Sequence, residues 1–147
     1  MKVKAILFYI DGRPNINGLI KTSNSIKNLD FNKEYPITTT PSIEITDEFI
    51  LEGEIIGFGR IKKENDKIIF EGNINNTPKG KTVMEILRGG NKIFNVEGKK
   101  SLVANACGTG SFEEDYKTIE YYELQSVAFH IADLDDEVIG KIEVTNE

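Results

Sequence analysis

FILEGEIIGFGRIKKENDKIIFEGNIN, residues 49–75, is the segment from which the architecture of this chain is most directly inferred. Apolar side chains occupy alternate positions in its first half and again in its second half. This two-residue period is typical of strands with one buried face. The polar run Glu64-Asn65-Asp66 separates the halves and supplies a turn. The pattern predicts a long β-hairpin, in which the alternating apolar residues are Phe49, Leu51, Ile55 and Ile61 at odd positions, then Ile68, Phe70 and Ile74 at even positions.

Three glycines, Gly53, Gly57 and Gly59, interrupt the first arm of this hairpin. Glycine weakens a strand unless another backbone must approach closely or the sheet must bend. Their spacing therefore predicts a curved, barrel-like sheet.

A helix is expected directly after the hairpin, in the segment that begins Asn76-Thr77-Pro78-Lys79-Gly80-Lys81. Thr77 is a good N-cap, and Pro78 suits the first helical position, where a missing N–H group is tolerated. Val83, Ile86 and Leu87 recur at helical spacing, and Gly89-Gly90 ends the helix.

The rest of the chain is predicted to add mostly strands. The predicted pieces are a strand over 2–10, a turn over 11–15, a short helix over 23–29 capped by Ser23 or Asn24, extended pieces over 35–40 and 41–45, and strands near 101–107, 117–131 and 137–145. We expect one domain, residues 1–147, of the mainly β (α+β) class: a single partly closed antiparallel β-barrel with one or two short helices.

Composition narrows the class of protein. The net charge of −6 argues against broad affinity for nucleic acid, because such affinity depends on neutralising phosphates. Cys107 is the only cysteine, so an internal disulfide and a thiolate zinc site are excluded. No apolar run approaches the roughly 18 residues of a membrane span, and the short apolar start lacks a signal-peptide cleavage site. We expect a protein that acts where it is made, in the cytoplasm of the producing cell, with no cofactor, metal, membrane or direct nucleic-acid partner.

The run Ala104-Asn105-Ala106-Cys107-Gly108-Thr109-Gly110 follows the helix, and this order resembles the core of the tailed-phage prohead proteases. In that family of capsid-maturing serine proteases, Asp-Thr-Pro-x-Gly-Lys leads through a helix and a glycine to Ser-Ser-Arg-Gly-x-Gly. Further segments are similar to family motifs in the same order, and the resemblance covers roughly residues 13–132. They are Asn15-Ile16-Asn17-Gly18, Thr40-Pro41 in place of His-Pro, the hairpin strand with Ile56-Gly57-Phe58-Gly59, and the strand Tyr122 to Phe129.

The resemblance implies a prohead-protease-like fold whose catalytic positions are degenerate. Asn105 and Ala106 stand where the family has serine, and Thr40 stands where it has histidine. Serine attack on an amide needs a hydroxyl group, a base and an oxyanion-stabilising pair of N–H groups. With both the hydroxyl group and the base replaced, the resemblance implies a protein without peptidase chemistry.

Several other residues are candidate replacements for the missing nucleophile and base. Cys107 and His130 would restore a nucleophile and a base as a dyad, although alternation along a strand should point Cys107 and Ala106 to opposite faces. Ser111 has no recognisable base nearby in the sequence. The run Gly108-Thr109-Gly110-Ser111 lacks the lysine and the following helix of a phosphate loop, so a tight turn is expected.

Two acidic clusters are expected to be solvated. Asp133-Leu134-Asp135-Asp136-Glu137 lacks the glycine and the spacing of a calcium loop, which favours an acidic turn. Glu113, Glu114 and Asp115 are most simply the exposed face of a loop.

Four hypotheses of function follow. The first is a bacteriophage virion structural protein, an auxiliary or decoration protein made in the bacterial host cytoplasm. It would bind the major capsid protein and other virion proteins, as a homo-oligomer or multicopy array. The second is an active but diverged maturation protease that uses Cys107 or an unassigned serine. The third is an internal assembly factor, and the fourth is a small β-rich binding domain with no viral link.

Overall fold

The structure is a computed structural model that describes residues 1–14, 18–39, 54–90, 100–133 and 139–147. The described residues form nine strands and one helix. In chain order these are β1 (Lys2–Tyr9), β2 (Asp11–Pro14), β3 (Ile20–Thr22), β4 (Tyr35–Thr39), β5 (Ile55–Glu64), β6 (Lys67–Ile74), α1 (Pro78–Arg88), β7 (Lys100–Phe112), β8 (Ile119–Asp133) and β9 (Glu143–Asn146).

Seven strands form one sheet, in the order β7-β8-β4-β5-β6-β1-β9, which curls into a half-barrel. The predicted mainly β class is confirmed. The sheet is not wholly antiparallel, however, because β4 and β8 run parallel, with Ile37 opposite Val127. A parallel pair needs a long crossover, and β5, β6, α1 and β7 all lie between these two strands in the chain.

The predicted hairpin is present as β5 and β6, joined by a two-residue turn at Asn65 and Asp66. Asn65 adopts a φ of 56°, a left-handed conformation that asparagine tolerates better than most residues. The earlier part of the predicted first arm, with Phe49, Leu51 and Gly53, lies outside the described residues.

The predicted curvature is confirmed by the curl of the sheet, and two glycines of β5 lie where backbones approach closely. A Cβ atom on Gly57 would collide with the carbonyl oxygen of Asn73, and one on Gly59 would collide with that of Glu71. The fully buried Phe70 ring occupies the space beside Gly59. Glycine is therefore required at these two positions because neighbouring backbones approach too closely for a side chain.

Gly140 connects two distant strands of the half-barrel. Its N–H group donates to the carbonyl oxygen of Ile6 in β1 at 2.8 Å, and its own carbonyl oxygen accepts from Ala104 N–H in β7 at 2.8 Å. Its φ of +80° is a conformation that favours glycine.

The helix α1 packs its apolar side on the core, as predicted. Thr77 Oγ1 accepts a hydrogen bond from Gly80 N–H at 3.1 Å, which confirms the expected N-cap. Val83, Met84 and Leu87 are buried in the same cluster as the inner faces of the strands. The most completely buried strand residues are Ile37, Ile56, Ile68, Phe70, Leu102, Val127 and Phe129.

Two local predictions are wrong. Residues 23–28 form successive turns rather than a helix, with Ser25 N–H donating to Thr22 O at 3.0 Å. The buried Ser25 hydroxyl accepts from Thr22 N–H at 3.0 Å and donates to Ile119 O, so a side chain replaces helical backbone bonds. The turn expected over 11–15 is instead β2, which pairs with β3 in a separate two-stranded ribbon.

Other boundaries shift. The strand expected near 101–107 is the longer β7, the strand expected over 117–131 is β8, shifted by two residues, and only the end of the strand expected over 137–145 is seen, as β9. The extended piece over 41–45 lies outside the described residues.

Candidate functional site

The strands β7 and β8 carry most of the predicted site residues. Their register pairs Asn105 with Ala128, Ala106 with Val127 and Cys107 with Ser126. Ala106 packs against the core, whereas Asn105 is exposed, so consecutive side chains take opposite faces. Ala106 and Asn105, the two positions that the resemblance aligns with serine, thus face the interior and the solvent respectively.

The predicted base position, Thr40, lies outside the described residues. The strand before it, β4, ends at Thr39, which lies opposite Phe129 of β8. The Thr39 hydroxyl accepts from Glu54 N–H at 3.2 Å, and Thr39 N–H donates to Glu54 O at 2.9 Å. These contacts give the Thr39 side chain a structural role at the start of β5.

The register does not bring Cys107 and His130 together. His130 lies opposite Val103, four residues from Cys107 along β7, which is about 13 Å at the rise of a strand. Burial lowers the pKa of the half-buried His130, so the imidazole is neutral at pH 7. The contact made by the thiol is with the carbonyl oxygen of Asn105, at 3.9 Å.

The run Gly108-Thr109-Gly110-Ser111 is part of β7 and not the tight turn that was expected. A Cβ atom on Gly108 would collide with the carbonyl oxygen of Glu123, and one on Gly110 with that of Tyr121. Glycine is therefore required here for close approach to β8 rather than for a turn. Ser111 lies opposite Tyr121, even farther along the strand from His130 than Cys107 is.

Asp115 has a structural role that the sequence did not indicate. Its carboxylate accepts from Lys117 N–H at 2.9 Å, from Thr118 N–H at 2.8 Å and from the Thr118 hydroxyl at 2.7 Å. Hydrogen bonds from the Thr118 side chain and backbone, followed by the one from Lys117, lower the pKa of Asp115 to about 2. Glu113, Glu114 and Asp115 are exposed in the loop between β7 and β8, as expected, and Asp115 in addition shapes the turn.

The acidic cluster over residues 133–137 is largely outside the described residues, since only Asp133 is placed, as the last residue of β8. Within the ranges that the structure describes, no three His, Cys, Asp or Glu side chains are grouped to hold a metal ion.

Lys21 lies between two aromatic rings, a feature that the sequence does not indicate. Lys21 Nζ lies 4.6 Å from the Phe8 ring centroid and 5.2 Å from that of Tyr122, and the rings meet edge to face at 5.9 Å. Burial lowers the pKa of Lys21. Burial, and then the nearby Cys107 thiol, raise the pKa of Tyr122 to about 12.

No sequence signal could have identified this cluster, because Phe8, Lys21 and Tyr122 come from β1, β3 and β8. Chemically it holds a cation against two ring faces, an arrangement that offsets part of the cost of burying charge.

Neither a family model, nor a curated protein, nor a solved structure matches this chain. The resemblance to the prohead proteases therefore stays a prediction that depends on the motifs alone. Among the described residues, no helix has both the length and the apolar character needed to cross a membrane.

Proposed function

We propose that this chain is a catalytically inactive protein with a prohead-protease-like, partly closed barrel, which acts by binding rather than by hydrolysis. More particularly, it is a structural protein of a tailed-phage virion, an auxiliary or decoration protein that binds the major capsid protein from outside the shell.

One observation carries the proposal: among the residues that the structure describes, the strand that resembles the nucleophile strand offers no nucleophile with a base. Asn105 and Ala106 cannot attack a peptide bond, and Cys107 is about 13 Å along the strand from the position of His130. A protease-like fold that cannot hydrolyse peptide bonds is best suited to a role in binding.

The charge of the chain supports a position away from packaged DNA. At a net charge of −6, a protein on the inner shell surface would be repelled by phosphates. This favours the outer surface over an internal assembly factor.

Mass spectrometry of purified virions of the phage that encodes the chain tests the proposal. We expect the intact chain of 16.5 kDa in many copies per particle. Brief surface labelling of lysines on intact particles should modify it, as expected for an outer protein, whereas an internal factor would be labelled only after the shell is opened. Absence of the chain from the particles would overturn the virion assignment.

A further inference from the structure

The strand β7 is the last strand on one side of the sheet, and half of its outer edge has no partner among the described residues. Val103 and Ala104 meet the segment around Gly140, through the Val103–Lys141 bridge and the bond from Ala104 N–H to Gly140 O. From Asn105 to Phe112, no described strand lies beyond β7.

This edge lacks the usual protection against pairing. Proteins guard exposed edges with charged residues or proline, yet Ser101 to Phe112 contains neither. Its two bulges relative to β8, at Cys107/Gly108 and Ser111/Phe112, place the extra residues on β8, so β7 itself keeps its regular alternation.

The direction of the free groups follows from the bond that Ala104 makes. Ala104 N–H points away from β8, to Gly140. N–H and C=O groups of one residue point to the same side in an antiparallel ladder, and the side alternates along the strand. The N–H and C=O groups that point outward therefore belong to alternate residues: Ala106, Gly108, Gly110 and Phe112.

We propose that this edge pairs with the same edge of a second copy of the chain, antiparallel, around a two-fold axis at Thr109. In that register Gly108 of one copy faces Gly110 of the other, and Ala106 faces Phe112. Each facing pair exchanges two hydrogen bonds, so all outward groups of the edge are satisfied. The Phe112 side chain, 45% exposed in the single chain, is then covered at the new junction.

Charge complementarity favours the antiparallel copy as the occupant. Lys141 lies at one end of the free edge, opposite Val103, and Glu113 and Glu114 follow Phe112 at the other end. Antiparallel pairing places the glutamates of each copy near Lys141 of the other, whereas parallel pairing would place like charges together. The proposal does not rest on the proposed function, since a chain without any capsid partner would pair in the same way.

A disulfide tests the register. In the double variant Thr109→Cys/Cys107→Ser, the introduced thiols would face each other in a non-hydrogen-bonded pair, with Cα atoms about 4.5 Å apart. We expect mild oxidation to convert most of this variant to a covalent dimer at concentrations where the pair forms. The wild-type chain is the matched control, because its two Cys107 residues would lie about 14 Å apart, beyond disulfide reach.

A proline tests the hydrogen bonds. Phe112→Pro removes an outward N–H group without removing a bond to β8, whereas Phe112→Val keeps that group and controls for loss of the ring. In sedimentation equilibrium, we expect the proline variant to weaken dimerisation about tenfold or more relative to the valine variant. Both should keep the circular dichroism spectrum of the wild type.

Three results would overturn the proposal. They are a wild-type chain that stays monomeric up to millimolar concentration, a wild-type chain that crosslinks through Cys107 as readily as the Thr109→Cys variant, and equal dimerisation of the proline and valine variants.

Discussion

Lys21 is a charged residue whose surroundings have opposite effects on its charge. Burial disfavours the ammonium form and lowers its pKa, while the faces of Phe8 and Tyr122 attract the cation. Such a residue should leave a signature in the pH dependence of stability.

The sign of that dependence follows from linkage. The unfolded chain binds more protons than the folded chain between the lowered pKa of Lys21 and the ordinary value of 10.5. The contribution of Lys21 to the free energy of unfolding therefore increases as the pH is raised through this window. We expect the wild type to gain stability relative to Lys21→Met as the pH approaches 10.5, in urea unfolding at a series of pH values. Lys27→Met, which removes an exposed lysine in the next turn, controls for net charge, and an equal trend in both variants would contradict the assignment.

At the residue scale, the sequence could predict only what strand alternation dictates. The core-facing Ala106 beside the exposed Asn105 is what the two-residue period of a strand predicts. The Lys21 cluster could not be predicted, because its three residues meet only through tertiary packing.

The helix α1 is the element with the clearest local determinants. Thr77 caps its first turn, and the exposed Thr82 hydroxyl donates back to Pro78 O at 3.2 Å within it. The first contact satisfies a free N–H group, whereas the second satisfies a carbonyl group that the helix already uses.

Alanine at these two threonines should therefore act differently. We expect Thr77→Ala to reduce the free energy of unfolding by about 1 kcal/mol, because Gly80 N–H loses its acceptor. Thr82→Ala should be neutral or slightly stabilising, since alanine has the higher helix propensity. Urea unfolding of both variants measures these changes. Equal losses in the free energy of unfolding would contradict a stabilising role of the Thr77 cap.

Elements were predictable where neighbours in sequence decide them. The β5–β6 hairpin and α1 depend on apolar periodicity, a turn and a cap, all of which are local. The helix expected over 23–29 failed because the Ser25 hydroxyl bonds to Ile119 O, far away in the chain. The parallel pairing of β4 and β8 is likewise a long-range choice that no local pattern encodes.

At the scale of the whole molecule, Gly140 is the residue that joins the two sides of the curl. Its bonds to Ile6 O and Ala104 N–H link β1 with β7, which are far apart in the order of the sheet. The link needs a positive φ and leaves little room, since an added Cβ atom would lie 2.9 Å from the carbonyl oxygen of Ala104.

Gly140→Ala should therefore destabilise the fold by about 2–3 kcal/mol, through strain in the backbone and displacement of the link. Gly90→Ala is the matched control, because Gly90 has a similar φ of +85° with open space around it, and it should lose only about 1 kcal/mol. The midpoint of urea unfolding at unchanged slope measures both. A loss at Gly140 no larger than that at Gly90 would contradict a linking role.

The measurement that most directly tests the proposed lack of hydrolysis is intact-mass spectrometry of the chain coexpressed with its proposed partner, a tailed-phage major capsid protein. We predict that both proteins keep their full mass and that they copurify. Cleavage of either protein, abolished by Cys107→Ala or by replacement of a single serine, would contradict the account.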